Sequence, residues 1–120
     1  MRLEGEFYRV ARITDDGDGS YVVTVVMEPK HQIYEGHFPG QPVVPGVCTL
    51  TIIRECLGEI LGREVSFTTI KECKYVSALI PEEGLSITLN LAITDATKLR
   101  ATVERCDNRQ TVLKLRAEIR

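Results

Sequence analysis

The chain has 120 residues, 43% of them hydrophobic and 27% charged, with a formal net charge of −2 at pH 7. This length and composition predict one globular domain spanning residues 1–120. The small negative charge argues against nucleic acid or an anionic membrane as a partner. No stretch approaches the ~20 consecutive apolar residues of a membrane-spanning helix, and the first ten residues lack the apolar core of a signal peptide. We therefore expect a soluble, cytoplasmic protein.

The first thirty residues predict a β-hairpin. Residues Phe7–Ile13 are β-prone, "DDGDGS" at Asp15–Ser20 is a turn signal, and "YVVTVVMEP" follows as a second strand. After Pro29 the chain becomes irregular and rich in Gly and Pro. The segment Gly46–Gly62 is then free of proline and compatible with a helix that ends at Gly62.

The predicted helix has two unlike faces at about 100° per residue. Its apolar stripe contains Leu50, Ile53, Leu57, Ile60 and Leu61. The opposite side carries Thr51, Arg54, Glu55, Gly58 and Glu59. We expect the first face to pack on the core and the second to meet solvent or a site.

From Val65 onward the hydrophobic period becomes two. The alternation is clearest in "LSITLNLAIT", residues 85–94, and it recurs in residues 98–106 and 110–120. Residues 64–77 form another predicted strand, followed by the turn "PEEG". Two strands, one helix and four more strands predict an α+β domain whose long antiparallel sheet curls around the helix.

The four cysteines are Cys48, Cys56, Cys73 and Cys106, and none belongs to a CxxC motif. This spacing predicts free, reduced and mostly buried thiols, with no disulfide framework and no metal site. A helix dipole lowers the pKa of a thiol at a helix start, where Cys48 lies, but we expect Cys48 to be a packed core residue.

The most unusual stretch is the loop before the helix, "GHFPGQPVVPGV". It closely resembles the signature loop of the hot-dog-fold 3-hydroxyacyl-acyl-carrier-protein dehydratases, in which His-Phe-Pro-Gly-x-Pro leads through Pro-Gly into the central helix. The matching residues are Gly36, His37, Phe38, Pro39, Gly40, Pro42, Pro45 and Gly46. The order of the strands and "IKECKYVSALIPEEGLSI", residues 70–87, are similar to the family more weakly.

This resemblance implies a hot-dog fold, with a long central helix wrapped by a curved antiparallel sheet of about six strands. It also implies a homodimer with active sites at the subunit interface. The reaction would remove water from a (R)-3-hydroxyacyl thioester, carried on acyl carrier protein or coenzyme A, and give the trans-2-enoyl thioester. Such a lyase would act in fatty-acid or related polyene or polyketide synthesis, without a cofactor.

The resemblance assigns two parts of a catalytic site. His37 would be the base, because an imidazole pKa of about 6.5 suits proton abstraction next to a thioester carbonyl. The free N–H groups at the helix start, at Gly46 and Val47, would bind the carbonyl oxygen as it gains charge. Phe38 belongs to the substrate loop, and we favour a core anchor over a substrate contact for its ring.

The third part of the site, the acid, departs from the family. At the helix position where the family carries a Glu or Asp as the acid, this chain has Thr51, whose hydroxyl has far too high a pKa for that role. Glu55 lies one turn further on and, because helical side chains lean toward the N-terminus, is a tentative replacement.

Two alternatives to an acid at Glu55 stay open. The acid is supplied by a different residue or by water held at Thr51, or else dehydration is lost. In the last case the protein would be a non-dehydrating acyl-thioester-binding or thioesterase-like hot-dog protein.

Overall fold

The computed structural model describes residues 3–28 and 43–120 of the chain. In chain order these residues form β1 (Tyr8–Gly17), β2 (Ser20–Met27), α1 (Gly46–Leu61), β3 (Phe67–Tyr75), β4 (Ser86–Thr94), β5 (Lys98–Arg105) and β6 (Thr111–Ile119). The predicted order of two strands, one helix and four strands is confirmed.

The strands form one six-stranded antiparallel sheet in the order β1-β2-β4-β5-β6-β3. The helix follows β2 at one side of the sheet, and the chain then enters β3 at the opposite edge. The segment containing α1 therefore crosses the sheet. This arrangement leaves β1 and β3 as the two edge strands.

One hydrophobic core joins the helix to the sheet. Ile52, Ile53 and Leu57 of α1 are fully buried, and they belong to the same cluster as apolar side chains of β1, β2, β4, β5 and β6. In β4 the buried side chains of Ile87 and Leu89 alternate with half-buried polar residues, as the period of two predicts. A single helix packed on a six-stranded antiparallel sheet confirms the predicted hot-dog fold.

The predicted turn at Asp15–Ser20 is too long. Strand β1 continues to Gly17, which pairs with Ser20, so the hairpin loop is only Asp18 and Gly19. These two residues have φ values of 53° and 80°, as a two-residue hairpin turn with both central residues in the left-handed region requires. The acidic residues before the turn fit in β1 because it is an exposed edge strand.

The helix buries a different set of residues from the predicted stripe. Ile53 and Leu57 are buried as expected, whereas Leu50, Ile60 and Leu61 are only partly buried. The buried residues of the helix are Cys48, Thr49, Ile52, Ile53, Glu55, Cys56 and Leu57. The expectation that Glu55 lies on a face open to solvent or a site is therefore wrong: its exposed fraction is 6%, because the N-terminal segment covers it.

The prediction that the thiols are mostly buried holds for Cys48 and Cys56 only. Cys73 is half-buried on the edge strand β3, and Cys106 is exposed where β5 ends. Cys73 packs against the margin of the hydrophobic core, while Cys106 follows the end of a strand. Helix α1 has 16 residues, and no helix in the described part of the chain could span a bilayer.

Candidate active site

A cavity of about 530 Å³ opens beside the N-terminus of α1. Its lining residues come from the helix start, from the end of β3 and the loop after it, and from the start of β6. They are Val43, Val44, Pro45, Gly46, Val47, Thr49, Tyr75, Val76, Ser77, Ala78, Leu79 and Val112. Most of these side chains are aliphatic and none carries a formal charge, so the cavity suits an apolar ligand of small-molecule size.

Backbone hydrogen bonds fix the walls of this cavity. The Val44 N–H donates to the Leu79 carbonyl oxygen at 2.8 Å, which ties the helix entry to the loop after β3. That loop is tied to β6, because the Val76 N–H donates to the Val112 carbonyl at 2.8 Å and the Ser77 hydroxyl donates to the Thr111 carbonyl at 2.7 Å. The helix start and the loop are thus held at fixed positions on either side of the cavity.

The N-terminus of α1 is open. Pro45 is the N-cap residue in an extended conformation, no side chain caps the helix, and the first turn contains no acidic residue. The Cys48 N–H returns to the Pro45 carbonyl at 2.9 Å, but no acceptor for the Gly46 and Val47 N–H groups is found within residues 3–28 and 43–120. Two free donors at the positive end of a helix dipole can stabilise a negatively charged oxygen.

Gly46 is packed against an aromatic ring. A Cβ atom at this position would lie 2.7 Å from Cζ and 2.9 Å from Oη of Tyr75, well inside van der Waals contact. A glycine at a helix start lets another group approach the backbone closely. In the structure the Tyr75 ring makes such a close approach, and any larger residue at position 46 would displace it.

Tyr75 was missed in the sequence analysis. It is the last residue of β3 and is 56% exposed, so it looks like an ordinary polar residue at a strand end. Gly46 and Tyr75 are far apart in the sequence, and only the fold brings them together. A single tyrosine at the junction of a strand and a cavity-lining loop is a weak signal that would not have singled it out.

Thr51, which the sequence predicts at the family's acid position, is not among the residues that line this cavity. Its hydroxyl donates to the Val47 carbonyl oxygen at 2.9 Å, one helical turn toward the N-terminus. The only proton of the side chain is therefore engaged within the helix, and the hydroxyl oxygen is left to accept a hydrogen bond. In this rotamer Thr51 can hold a water molecule but does not donate to a substrate.

Glu55 binds the N-terminal segment of the chain. Its carboxylate oxygens accept hydrogen bonds from the Leu3 N–H at 2.9 and 3.1 Å, from the Glu4 N–H at 3.0 Å and from the Tyr8 hydroxyl at 3.0 Å. Arg54 Nη2 lies 3.9 Å from the same carboxylate. A buried carboxylate with several such donors is well solvated by the protein itself.

The structure does not bring Glu55 to the cavity at the helix start. Its side chain contributes instead to a second, smaller cavity of about 280 Å³ near the C-terminal end of α1, together with Arg54, Gly58 and Glu59. The predicted role of Glu55 as the acid stays a prediction. Ile52 lies three residues before Glu55 on the same side of the helix, and this apolar neighbour is the sequence signal that could have indicated burial of Glu55.

Burial sets the protonation state of the groups around Glu55 and of Cys48. Burial, together with the Cys56 and Glu55 side chains, raises the pKa of Tyr8, so its hydroxyl stays a donor. Burial raises the pKa of Cys56 to about 12 and also raises that of Cys48, opposite to the lowering that a helix dipole causes. Among the described residues, no group of three or more His, Cys, Asp or Glu side chains could hold a metal ion.

His37 and Phe38 lie outside the described residues. Their predicted roles, as base and as part of the substrate loop, stay predictions. The description of the chain resumes at Val43, which lines the cavity at the helix start. The C-terminal end of the predicted substrate loop is therefore at the cavity wall.

Comparison with known families identifies the class of protein to which this fold and site belong. The ApeI-like family model, described as ApeI dehydratase, matches residues 13–114. This match covers most of the chain, including the helix and all residues that line the cavity at the helix start. The chain belongs to the ApeI-like dehydratase family.

Curated relatives of this chain are also named dehydratases. The 3-hydroxyacyl-acyl-carrier-protein dehydratase FabZ of Pelotomaculum thermopropionicum is 30% identical over 105 residues, which cover 81% of this chain and 71% of that protein. FabZ of Haemophilus influenzae is 27% identical over 97 residues, which cover 71% of this chain and 64% of that protein. The match thus spans somewhat less than two thirds of the Haemophilus relative.

Solved structures share the fold at lower identity. A chain of the dehydratase heterocomplex ApeI:P from Xenorhabdus doucetiae has a TM-score of 0.78 and 19% identity, over 92% of this chain and 95% of that chain. The dehydratase domain of the polyketide PpsC from Mycobacterium tuberculosis has a TM-score of 0.72 and 15% identity, over 92% of this chain and 43% of that chain. A hypothetical thioesterase with coenzyme A from Streptococcus pneumoniae TIGR4 has a TM-score of 0.61 and 14% identity, over 93% of this chain and 83% of that chain. The fold alone therefore does not select the reaction.

We expect Glu55→Gln to lower the free energy of unfolding by about 2–3 kcal/mol, because it weakens charge-assisted hydrogen bonds and turns an amide N–H toward buried donors. Urea denaturation followed by circular dichroism measures this change. Glu83→Gln is the matched control, since Glu83 is exposed in the turn before β4 and its substitution should leave stability within about 0.5 kcal/mol.

The same variant separates a structural from a catalytic role of Glu55. Lost stability with a normal rate per folded molecule assigns the carboxylate to the fold. Unchanged stability with a large loss of dehydration would instead support the acid role predicted from the sequence.

Proposed function

We propose that the protein removes water from a 3-hydroxyacyl thioester and releases the trans-2-enoyl thioester. The observation that carries this proposal is the open N-terminus of α1 at the wall of a cavity whose described lining residues are uncharged and largely aliphatic. Membership of a dehydratase family and relatives named 3-hydroxyacyl-acyl-carrier-protein dehydratases support the same reaction. We expect an acyl carrier protein or coenzyme A to carry the substrate, and fatty-acid, polyene or polyketide synthesis in the cytoplasm to be the setting.

Removal of the proton next to the thioester carbonyl is the first requirement. As this proton leaves, negative charge moves to the carbonyl oxygen, and the N–H groups of Gly46 and Val47 would bind that oxygen. The aliphatic cavity takes the acyl chain and excludes water, which strengthens these hydrogen bonds. His37 would take the proton, because neutral imidazole is a base suited to neutral pH.

Loss of the 3-hydroxyl group is the second requirement, and it needs a proton donor. Thr51 lacks an acidic proton, and the Glu55 carboxylate already binds two backbone N–H groups and the Tyr8 hydroxyl. We propose that the proton comes from the imidazolium formed at His37, passed on through a water molecule held by the lone pairs of Thr51, or from a protonated carboxylic acid of a partner subunit. Both sources keep His37 and the helix start in the roles given above.

A partner subunit would bind the edge strand β3. This strand has no neighbour on its outer side within the described part of the chain, and Ile70 on it is 46% exposed. Val47, Tyr75 and Val76 continue the exposed apolar surface to the cavity mouth, with exposed fractions of 66%, 56% and 54%. An apolar patch beside a free strand edge favours association. We propose a homodimer, and pairing with a different subunit is the alternative, since the ApeI relative occurs in a heterocomplex.

Incubation of the purified protein with a 3-hydroxyacyl carrier protein tests the function, with mass spectrometry of the enoyl product as the measurement. His37→Asn should lower the rate by a factor of about 10² or more, since it removes the base. His31→Asn is the matched control: His31 is the other histidine of the chain and lies outside the signature loop, so its substitution should keep the rate. Binding of the substrate by the wild type without any enoyl product would contradict the dehydratase proposal.

Thr51→Glu should increase the rate of dehydration by about tenfold or more, because it places a carboxylic acid where the family carries one. Thr51→Gln has a similar size without an acidic proton and should give no increase. The rates of both variants are compared by the same product assay. A folded Thr51→Glu protein with no increase would show that the missing acid is supplied from elsewhere.

Ile70→Glu should dissociate the proposed homodimer, because it places a charge in the apolar patch on β3. Sedimentation velocity gives the mass of each species. Ile13→Glu is the matched control: Ile13 is 42% exposed on the other edge strand, β1, and its substitution should leave the mass unchanged. A wild-type monomer at the concentrations that support activity would contradict the homodimer.

Thioester hydrolysis is the second candidate function. Thr51 stands where the family carries its acid, and a hypothetical thioesterase shares the fold with the dehydratases. Hydrolysis would release a free acid and a free thiol, whereas dehydration leaves the thioester intact. The same mass-spectrometric assay therefore distinguishes the two reactions, and a protein that only binds acyl thioesters would give neither product.

A further inference from the structure

Tyr75 places a phenol hydroxyl beside the open end of α1. A Cβ atom built on Gly46 would lie 2.9 Å from Oη of Tyr75. Since one carbon–carbon bond is about 1.5 Å long, the hydroxyl oxygen is within about 4.5 Å of the Gly46 Cα atom. The N–H groups of Gly46 and Val47 leave the backbone next to that atom. Three potential donors therefore meet at one wall of the cavity.

The hydroxyl of Tyr75 is able to donate at neutral pH. Burial raises its pKa, and the neighbouring Cys73 side chain adds to this effect. A thiol is a weak acceptor, so the contact with Cys73 is easily exchanged for a hydrogen bond to a charged oxygen. A phenol that keeps its proton donates a hydrogen bond without giving the proton away.

The surroundings favour a negative oxygen at this place. Among residues 3–28 and 43–120, those that line the cavity include no Asp or Glu, and the first turn of α1 has no acidic residue. The Tyr75 ring packs on Gly46 rather than filling the cavity, because glycine leaves room for it. A glycine that admits an aromatic ring fixes the hydroxyl relative to the helix end with few rotamers to lose.

We infer that the Tyr75 hydroxyl is a third hydrogen-bond donor to the thioester carbonyl oxygen, acting together with the N–H groups of Gly46 and Val47. This inference rests on the proposed function, and it adds a residue to the binding of the transition state. No covalent bond to Tyr75 forms or breaks. The hydroxyl shortens its hydrogen bond as charge collects on the oxygen during removal of the neighbouring proton.

Tyr75→Phe tests this inference, because it keeps the ring against Gly46 and removes only the hydroxyl. We expect kcat to fall by about 10²-fold with KM changed by less than about threefold, as when one oxyanion donor is removed. Tyr21→Phe is the matched control: Tyr21 is partly buried in β2, away from this cavity, and its substitution should leave both constants unchanged. Since Tyr75 is more than half exposed, circular dichroism should show the fold intact.

A second measurement does not depend on turnover. A saturated acyl coenzyme A labelled with carbon-13 at the carbonyl lacks the 3-hydroxyl and cannot react by dehydration. Its infrared carbonyl stretch should move to lower frequency on binding to the wild type, because hydrogen bonds polarise the carbonyl. The shift should be smaller for Tyr75→Phe and unchanged for Tyr21→Phe.

The two measurements separate this inference from the proposed function. A wild type that forms no enoyl product but shows a carbonyl shift that depends on Tyr75 would overturn dehydration and support the donor role. Full activity and an unchanged carbonyl shift in Tyr75→Phe would overturn the donor role and leave dehydration standing. A wild type that binds no labelled thioester would also overturn the donor role.

Gly46→Ala provides a further check through a double-mutant cycle. The added methyl group displaces the Tyr75 ring, so Tyr75→Phe should have less than about a threefold effect on kcat in the Gly46→Ala background. If the double variant loses kcat by the product of the two single losses, the proposed coupling between the Tyr75 ring and the helix start is contradicted.

Discussion

The burial of a single helix is the constraint on which this structure depends. The sheet can cover only one side of α1, and the remaining side must also be removed from water. Glu55 helps to achieve this, since its carboxylate gathers the N–H groups of Leu3 and Glu4 and the hydroxyl of Tyr8. These charge-assisted hydrogen bonds offset the cost of burying a carboxylate and hold the N-terminal segment against the helix. The N-terminal end of the helix carries no side-chain cap and can meet a ligand.

Because of the same constraint, negative charge is bound at the helix end, while the proton must be supplied by a different group. The helix end offers fixed donors that act wherever negative charge develops, and Pro45 keeps that end free of a side-chain cap. A carboxylate that acts as an acid must instead be free to lose its proton and regain it. Glu55 is poorly suited to that work, because moving it would leave two backbone donors and a buried tyrosine without an acceptor. Its contribution to the fold competes with any contribution to proton transfer.

Local patterns in the sequence were enough to predict most of the fold. Alternation in residues 85–94 and the segment between Gly46 and Gly62 identified a strand and the helix, because hydrophobic period and chain breakers act over a few neighbouring residues. The hairpin loop was predicted too long, since Asp18 and Gly19 alone can make the turn. The burial of Glu55 was missed because its donors, Leu3, Glu4 and Tyr8, lie about fifty residues away in the sequence.

Only the part of the candidate site that consists of neighbouring residues in the sequence could be predicted. The resemblance of the loop to the family's signature assigned Gly46 and Val47 to substrate binding at the helix start, and both residues line the cavity there. Tyr75 was not predicted, since its contact with Gly46 arises only when β3 is placed at the edge of the sheet beside β6. Local sequence specifies which groups are available, while sheet order decides which of them meet.

A site with donors for negative charge and no acid among its described lining residues favours one half of a dehydration over the other. Stabilising the carbonyl oxygen lowers the barrier to removing the neighbouring proton, whatever happens to the hydroxyl group. Departure of the hydroxyl is the step that needs an acid, and in this chain the Thr51 hydroxyl donates its hydrogen bond to the Val47 carbonyl. Thioesterases and acyl-binding proteins also need a polarised thioester carbonyl, but they need no acid at this point. The helix end is therefore common to all three functions, and the origin of one proton decides which of them this member of the family performs.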